Sequence, residues 1–294
     1  MAGLSFQKDD QIGGLAPIVP LRIEDIPQLR LGWSSRYDRY DLEQILRYGS
    51  GTALWSPETR EYVIGGPWRH RPEIVSILEL SAKSRAARLL DELANMAARQ
   101  GKRLVIASEH QEVRNRAFYQ SAGYDLIEEI LVYQLPRITS HEPDLAGMRF
   151  EHVSLDDDQA LTELLALDHA AFPWLWWNSV EEFINYGTSP GVDLYLGRDE
   201  TGRPVSYIGV TSFRSWGHLD RIAVAPDVQG RGYGLRSLDW AVYVLAREGA
   251  RRLALSTQGG NQRSRHLYER YGFRRSSGQD YNLYGRWLGA PETT

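Results

Sequence analysis

Between Asp220 and Gly234 the chain reads DRIAVAPDVQGRGYG, with glycines at 230, 232 and 234. An alternating apolar run precedes them and a helical pattern follows, so they fall at a strand-to-helix turn. Glycine permits a tight turn and lets backbone N–H groups approach a ligand with no Cβ in the way. The N-terminus of the next helix adds unpaired donors and partial positive charge, which makes an anion site. Arg231 can add a charge-assisted contact to a phosphate, or be solvated. Two nucleotide fingerprints fail here. A P-loop ends in Gly-Lys-Ser/Thr where this chain has Gly-Tyr-Gly-Leu, and G-x-G-x-x-G needs a glycine where Leu235 stands. Q-x-x-G-x-G fits, from Gln229 through Gly230, Gly232 and Tyr233 to Gly234.

Downstream lies NQRSRHLYERYGF, residues 261–273. Asn261 is a favoured helix N-cap. Tyr268, a phenol with a free pKa of about 10, keeps its proton at neutral pH and can donate it. It can equally pack on its helix. His218 and Asp220 are two apart on the strand before the glycines, which predicts one shared face with Ile222 and Val224. Either can accept a proton from an ammonium group; Asp220 is the preferred base and His218 the second. Asp220 can alternatively pair with Arg221 or Arg214. In FPWLWW (172–177), Trp174, Trp176 and Trp177 can wall an apolar or cationic amine pocket, or plug the contact between two halves of the molecule.

These groups sit in a chain of 294 residues with 42% hydrophobic and 24% charged residues, an ordinary globular composition that favours two domains. A formal charge of −4 excludes a broad basic field, so no nucleic-acid partner is expected. No cysteine is present, which removes disulfides, thiolate metal sites and any acyl-cysteine relay. Seven histidines without paired spacing and without HExxH predict no metal site. The opening residues lack an apolar signal region and no run reaches membrane-span length; a soluble, cytoplasmic protein without a membrane partner is the expectation.

The chain also repeats itself. Residues 101–124 align without a gap on 250–273, matching Arg103 to Arg252, Leu104 to Leu253, Tyr119 to Tyr268 and Gly123 to Gly272. DLEQILRYG (41–49) lies over SVEEFINYG (179–187) in the same order. The reading is an N-terminal extension (1–16), a first copy (17–136), a polar linker (137–147) flanked by Pro136 and carrying Pro143, and a second copy (148–294). Each copy reads as strand hairpins followed by strands joined through helices. That implies an α/β fold with a mixed, mainly antiparallel twisted sheet and one parallel crossover. Ser179 with Glu182 predicts a capping box, and the helix after the glycines is expected over about 234–247.

On the glycine loop and the Asn261–Phe273 motif together, the second copy resembles the GNAT superfamily of acyl-CoA-dependent N-acyltransferases. The core of the likeness is 218–273 and its outline runs over roughly 148–288. The resemblance implies acetyl-CoA as acyl donor and a primary amine of a small molecule as acceptor, with direct transfer in a ternary complex. It implies that Gln229 to Gly234 hold the pyrophosphate, that Ile222, Ala223 and Val224 pair with the pantetheine arm, and that Asn261 and Ser264 contact the cofactor. Tyr268 would be the acid. The first copy departs from the pattern: Ser81, Lys83 and Arg85 replace the three glycines and Glu112 replaces Asn261, which implies a relic. A non-catalytic acyl-CoA sensor or interaction module is the alternative, and either a monomer or a homodimer is compatible with two joined copies.

Overall fold

The computed structural model describes residues 17–32, 35–49, 52–110 and 114–289. The extension 1–16 and Glu112 lie outside them. The described chain forms two compact units.

The first unit takes residues up to Gly66 and Ile77–Met96. Its elements are β1 (Val19–Pro20), α1 (Arg39–Tyr48), β2 (Ala53–Ser56), most of β3 (Glu61–Trp68), the end of β4 (Arg71–Ser81) and most of α2 (Ala86–Arg99). β2 pairs antiparallel with β1 and β3. Asp38 caps α1 by accepting from the Asp41 N–H at 2.9 Å, and Asp41 accepts in return from the Asp38 N–H at 3.1 Å. Leu42 on this helix packs into a core with Leu21, Trp55, Tyr62 and Ile64.

The second unit takes Pro67–Ser76 and everything from Ala97 onward. It contains β5 (Leu104–Glu109), α3 (Arg116–Ser121), β6 (Asp125–Leu135), β7 (Arg149–His152), α4 (Asp158–Ala171), α5 (Val180–Gly187), β8 (Val192–Arg198) and β9 (Pro204–Phe213). β10 (Trp216–Val224), α6 (Tyr233–Arg247), β11 (Arg252–Gln258), α7 (Gln262–Tyr271), β12 (Arg274–Arg275) and β13 (Tyr281–Trp287) follow. The strands run in the order β5-β13-β6-β11-β10-β9-β8-β7, with β12 against β6. All of these pairs are antiparallel except β10 with β11, the single parallel crossover. The fold is a mixed sheet flanked by helices.

The order of strands carries a consequence for the repeat. β13, the last strand, lies between β5 and β6, antiparallel to both. β6, which the repeat assigns to the first copy, pairs with β11 from Leu135↔Leu253 to Ile130↔Gln258. The compact units therefore do not divide at 137–147. Strands from the two ends of the repeat are interleaved in one unit.

Helices cover both faces of this sheet. Leu238, Ala241, Val242 and Leu245, one stripe of α6, pack with Ile208, Val210, Leu219, Leu253 and Leu255. On the opposite face Leu161 and Leu164 of α4 and Phe183 of α5 pack with Leu194, Tyr207 and Ala223. Among the described residues no helix is long and apolar enough to cross a membrane.

Candidate active site

β10 and β11 pair over only four positions, Trp216↔Arg252 to Leu219↔Leu255. β10 continues to Val224 against β9 alone, while β11 continues to Gln258 against β6. The two parallel strands thus part beyond Leu219, and a cleft of about 1160 Å³ opens where they separate.

Ile222, Ala223 and Val224 line this cleft with one backbone edge paired to β9. Gln229, Gly230, Gly232 and Gly234 line it from the turn before α6. Gly230 and Gly232 have φ of +83° and +88°, the left-handed region that L side chains occupy only under strain. Gly232 is the N-cap of α6, so the free N–H groups of the first turn lie beside the cleft. A Cβ on Gly230 would meet nothing within 4 Å, so the conformation, not crowding, selects glycine there. The Gln229 side-chain N–H donates to the Val224 carbonyl at 3.0 Å and its oxygen accepts from Arg263, which ties loop, strand and α7 together.

Asn261, Ser264 and Tyr268 line the cleft from α7. Asn261 caps the helix: its Oδ1 accepts from the Ser264 N–H at 3.1 Å. Tyr268 is buried at 4% exposure. Burial pushes its phenol up to about 12, and a hydrogen bond with Ser264 only partly opposes this. A phenol in that state remains protonated and available as a donor. These groups fit a diphosphate with an extended arm: backbone donors at a helix start, a strand edge beyond them, and a proton source at the far end.

Residues 158–273 match the profile of the acetyltransferase (GNAT) family. This part of the chain is a GNAT-family domain. Over 144 residues the chain is 31% identical to a mycothiol acetyltransferase of Propionibacterium freudenreichii subsp. shermanii, a match covering 46% of this chain and 45% of that protein. The chain thus matches less than half the length of that curated relative. Two solved structures share the fold over most of the chain. A GCN5-related N-acetyltransferase from Sphaerobacter thermophilus superposes with a TM-score of 0.57, 15% identity and 88% coverage of both chains. A tandem GNAT protein from the clavulanic acid biosynthesis pathway gives 0.57 at 14% identity, covering 94% of this chain and 99% of that one.

The GNAT domain places other expected residues elsewhere. Arg231 is exposed and Tyr233 half-buried under the Arg236 guanidinium, 5.6 Å from its ring centroid; neither side chain lines the cleft. His218 and Asp220 do not line it either. They also do not share a face with Ile222 and Val224, which corrects the alternation expected from sequence. The register with β9 jumps from Leu219↔Val210 to Arg221↔Gly209, leaving Asp220 as a bulge residue. His218 pairs with Thr211 and Arg221 with Gly209, and both stand on the α4/α5 face with Asp220. Ile222 pairs with Ile208 on the α6 face. Asp220 accepts from His218 Nδ1 at 2.7 Å, Tyr186 Oη at 2.6 Å and Thr211 Oγ1 at 2.6 Å. Three donors thus hold its carboxylate in place. Burial and this carboxylate push the Tyr186 phenol far up, so it serves as a fixed donor.

The tryptophans do not wall the cleft. Trp174 stacks on Trp287 at 5.8 Å with the Arg71 and Arg103 guanidinium groups 4.3 and 4.9 Å from its centroid. Trp176, 7% exposed, meets Trp68 edge-on at 5.6 Å. Trp177 stacks on His169 at 4.5 Å and donates its indole N–H to the Phe172 carbonyl at 2.7 Å. Their indole faces are spent on the 67–76 segment, β13 and α4. Phe172 and Pro173 line the cleft in their place.

Phe172 itself lies under the Arg221 guanidinium, 3.9 Å from its centroid. Arg221 is bound to the fully buried Asp168, which also accepts from Tyr207 Oη and from the Asn178 N–H at 2.8 Å. Besides His266 on α7, the cleft lining holds a carboxylate that sequence reasoning missed, Glu128 on β6. Its place depends on strand pairing across the repeat, which leaves no local signal. Among the described residues no group of His, Asp and Glu is arranged to hold a metal ion.

The turn Ser81–Arg85, which the sequence repeat lays over the glycine turn, is closed from within. The Glu61 carboxylate accepts from the Lys83, Ser84 and Arg85 N–H groups at 3.1, 3.1 and 2.7 Å and from Ser84 Oγ at 3.2 Å. Burial alone would raise the Glu61 carboxyl; these backbone donors outweigh it and hold the group below its ordinary range.

Proposed function

We propose that the chain is an N-acetyltransferase that moves an acetyl group from acetyl-CoA to a primary amine of a small molecule, by direct transfer with both substrates bound. One observation carries this reading: the glycine turn, the strand edge 222–224 and the Tyr268 phenol all border one cleft. Acetyl-CoA supplies an activated thioester. The N–H groups around Gly232 and the start of α6 hold its diphosphate, and the β10 edge aligns the pantetheine arm and polarises the carbonyl. Tyr268, kept protonated at neutral pH by its burial, is placed to give its proton to the departing sulfur. The chain has no cysteine to form an acyl-enzyme by thioester exchange, which supports the direct route.

The repeat, the tandem GNAT neighbour and the Glu61 contacts support a tandem molecule, first copy 17–136 and second copy 148–294, with one acyl-CoA site. A cytoplasmic monomer or homodimer is the setting this reading carries forward. The name of the Propionibacterium relative makes unacetylated mycothiol the first acceptor to try. The test is thiol release from acetyl-CoA across a panel of primary amines. Acetyl-CoA should also raise the melting temperature by mass action. Amine-dependent release supports the reading; a thermal shift with no turnover on any amine would leave a sensor instead.

A further inference from the structure

We propose that Glu128 is the proton acceptor for the incoming amine, which makes the acceptor a primary ammonium and the site dependent on a strand of the first copy. The inference rests on the cleft being the acyl-transfer site. Its geometry comes from the sheet. Ile130 pairs with Gln258 on one side and Tyr281 on the other, and Glu128 pairs with Leu283. Side chains two apart on a strand share a face. Ile130 and Leu283 pack with Trp176 and Phe172, so Glu128 stands on that face. Leu131 and Tyr133, of opposite parity, pack with Tyr268. Glu128 and Tyr268 therefore reach the same cleft from opposite faces of the sheet. The phosphate-binding turn and α7 fill the Tyr268 side, which leaves the Glu128 side for the acceptor.

The environment suits the role. Burial raises the Glu128 carboxyl above its ordinary range, with the neighbouring Glu129 charge adding to the rise. Such a carboxylate is a better base than an exposed one. His218 and Asp220 are committed to each other, Tyr186 and Thr211 outside the cleft, so Glu128 is the carboxylate that the cleft itself presents.

The proton inventory closes. The ammonium gives one proton to Glu128; the freed amine forms the C–N bond as the C–S bond breaks. The sulfur takes the Tyr268 proton, and the second nitrogen proton returns through water to the phenolate. One proton leaves from Glu128 to solvent per turnover.

Glu128→Gln preserves shape and removes the base. Acetyl transfer to ethanolamine, an ammonium at neutral pH, is compared with transfer to hydroxylamine, largely uncharged there, while calorimetry gives the acetyl-CoA Kd. The variant should lose about 10²-fold or more in kcat with ethanolamine, as removal of a general base does. It should stay within about threefold on hydroxylamine and in Kd, since neither needs the base. Equal retention or equal loss on both amines would overturn the assignment, as would a wild type that binds acetyl-CoA yet acetylates neither. A wild type that binds no acetyl-CoA would overturn the reading of the cleft, and Glu128 with it.

Discussion

The carboxylate of Glu61 lies 2.7 Å from the backbone nitrogen of Arg85, at the turn that the sequence repeat lays over Gly230, Gly232 and Gly234. There an internal carboxylate satisfies the donors just ahead of α2. At the glycine turn the first N–H groups of α6 lie beside the cleft instead.

Glu61→Gln tests the first of these. A carboxyl held below its unfolded value contributes stability that is present above the unfolded pKa, near 4.5, and is lost as pH falls through the lower folded value. The wild type should therefore lose melting temperature on acidification below about pH 4.5 more steeply than the variant. Thermal denaturation between pH 3 and 6 measures the difference; parallel curves would contradict the role given to Glu61.

Substituting Gly230 by alanine places a side chain at φ +83° in open space. The cost should be the left-handed backbone alone, about 1–2 kcal/mol, with little steric penalty. Urea denaturation reads this directly, and a neutral result would mean that the turn relaxes.

Tyr268→Phe removes the proposed acid and little volume. Turnover should fall by about 10²-fold, in line with loss of one general-acid group, while the acetyl-CoA Kd changes by less than about threefold. Rates and calorimetry on the same preparation separate these effects. An unchanged kcat would assign Tyr268 to packing with Tyr133 and Phe273, its neighbours at 6.3 and 5.8 Å.

Arg221→Ala would leave Asp168, fully buried, without its guanidinium partner. Breaking a buried pair on one side typically costs about 3–5 kcal/mol. Phe172 would also lose its cationic neighbour at the cleft wall. Equilibrium denaturation should show the loss; a change below about 1 kcal/mol would mean that water or Arg69 replaces the charge.

Local chemistry was legible in the sequence. The turn glycines, the helix at 233–247 and the Asn261 cap follow from residue type and short spacing. Ser179 accepts from the Glu182 N–H at 3.0 Å, the first half of the expected capping box. What was hidden depends on distant pairing. The Asp220 bulge arises only in register with β9. β6 and the β13 region meet across 148 residues, as in the Val132 N–H to Asp280 bond of 2.8 Å, and that meeting brings Glu128 to the cleft. The tryptophans read as pocket walls because no spacing rule reveals that Trp68 meets Trp176 edge-on and that Trp287 stacks on Trp174.

Calorimetric titration of the wild type and of Gly232→Arg with acetyl-CoA tests the central claim most directly. One equivalent of saturable binding in the wild type, lost in the variant, is the predicted result. No binding heat in the wild type, or equal binding in the variant, would contradict it.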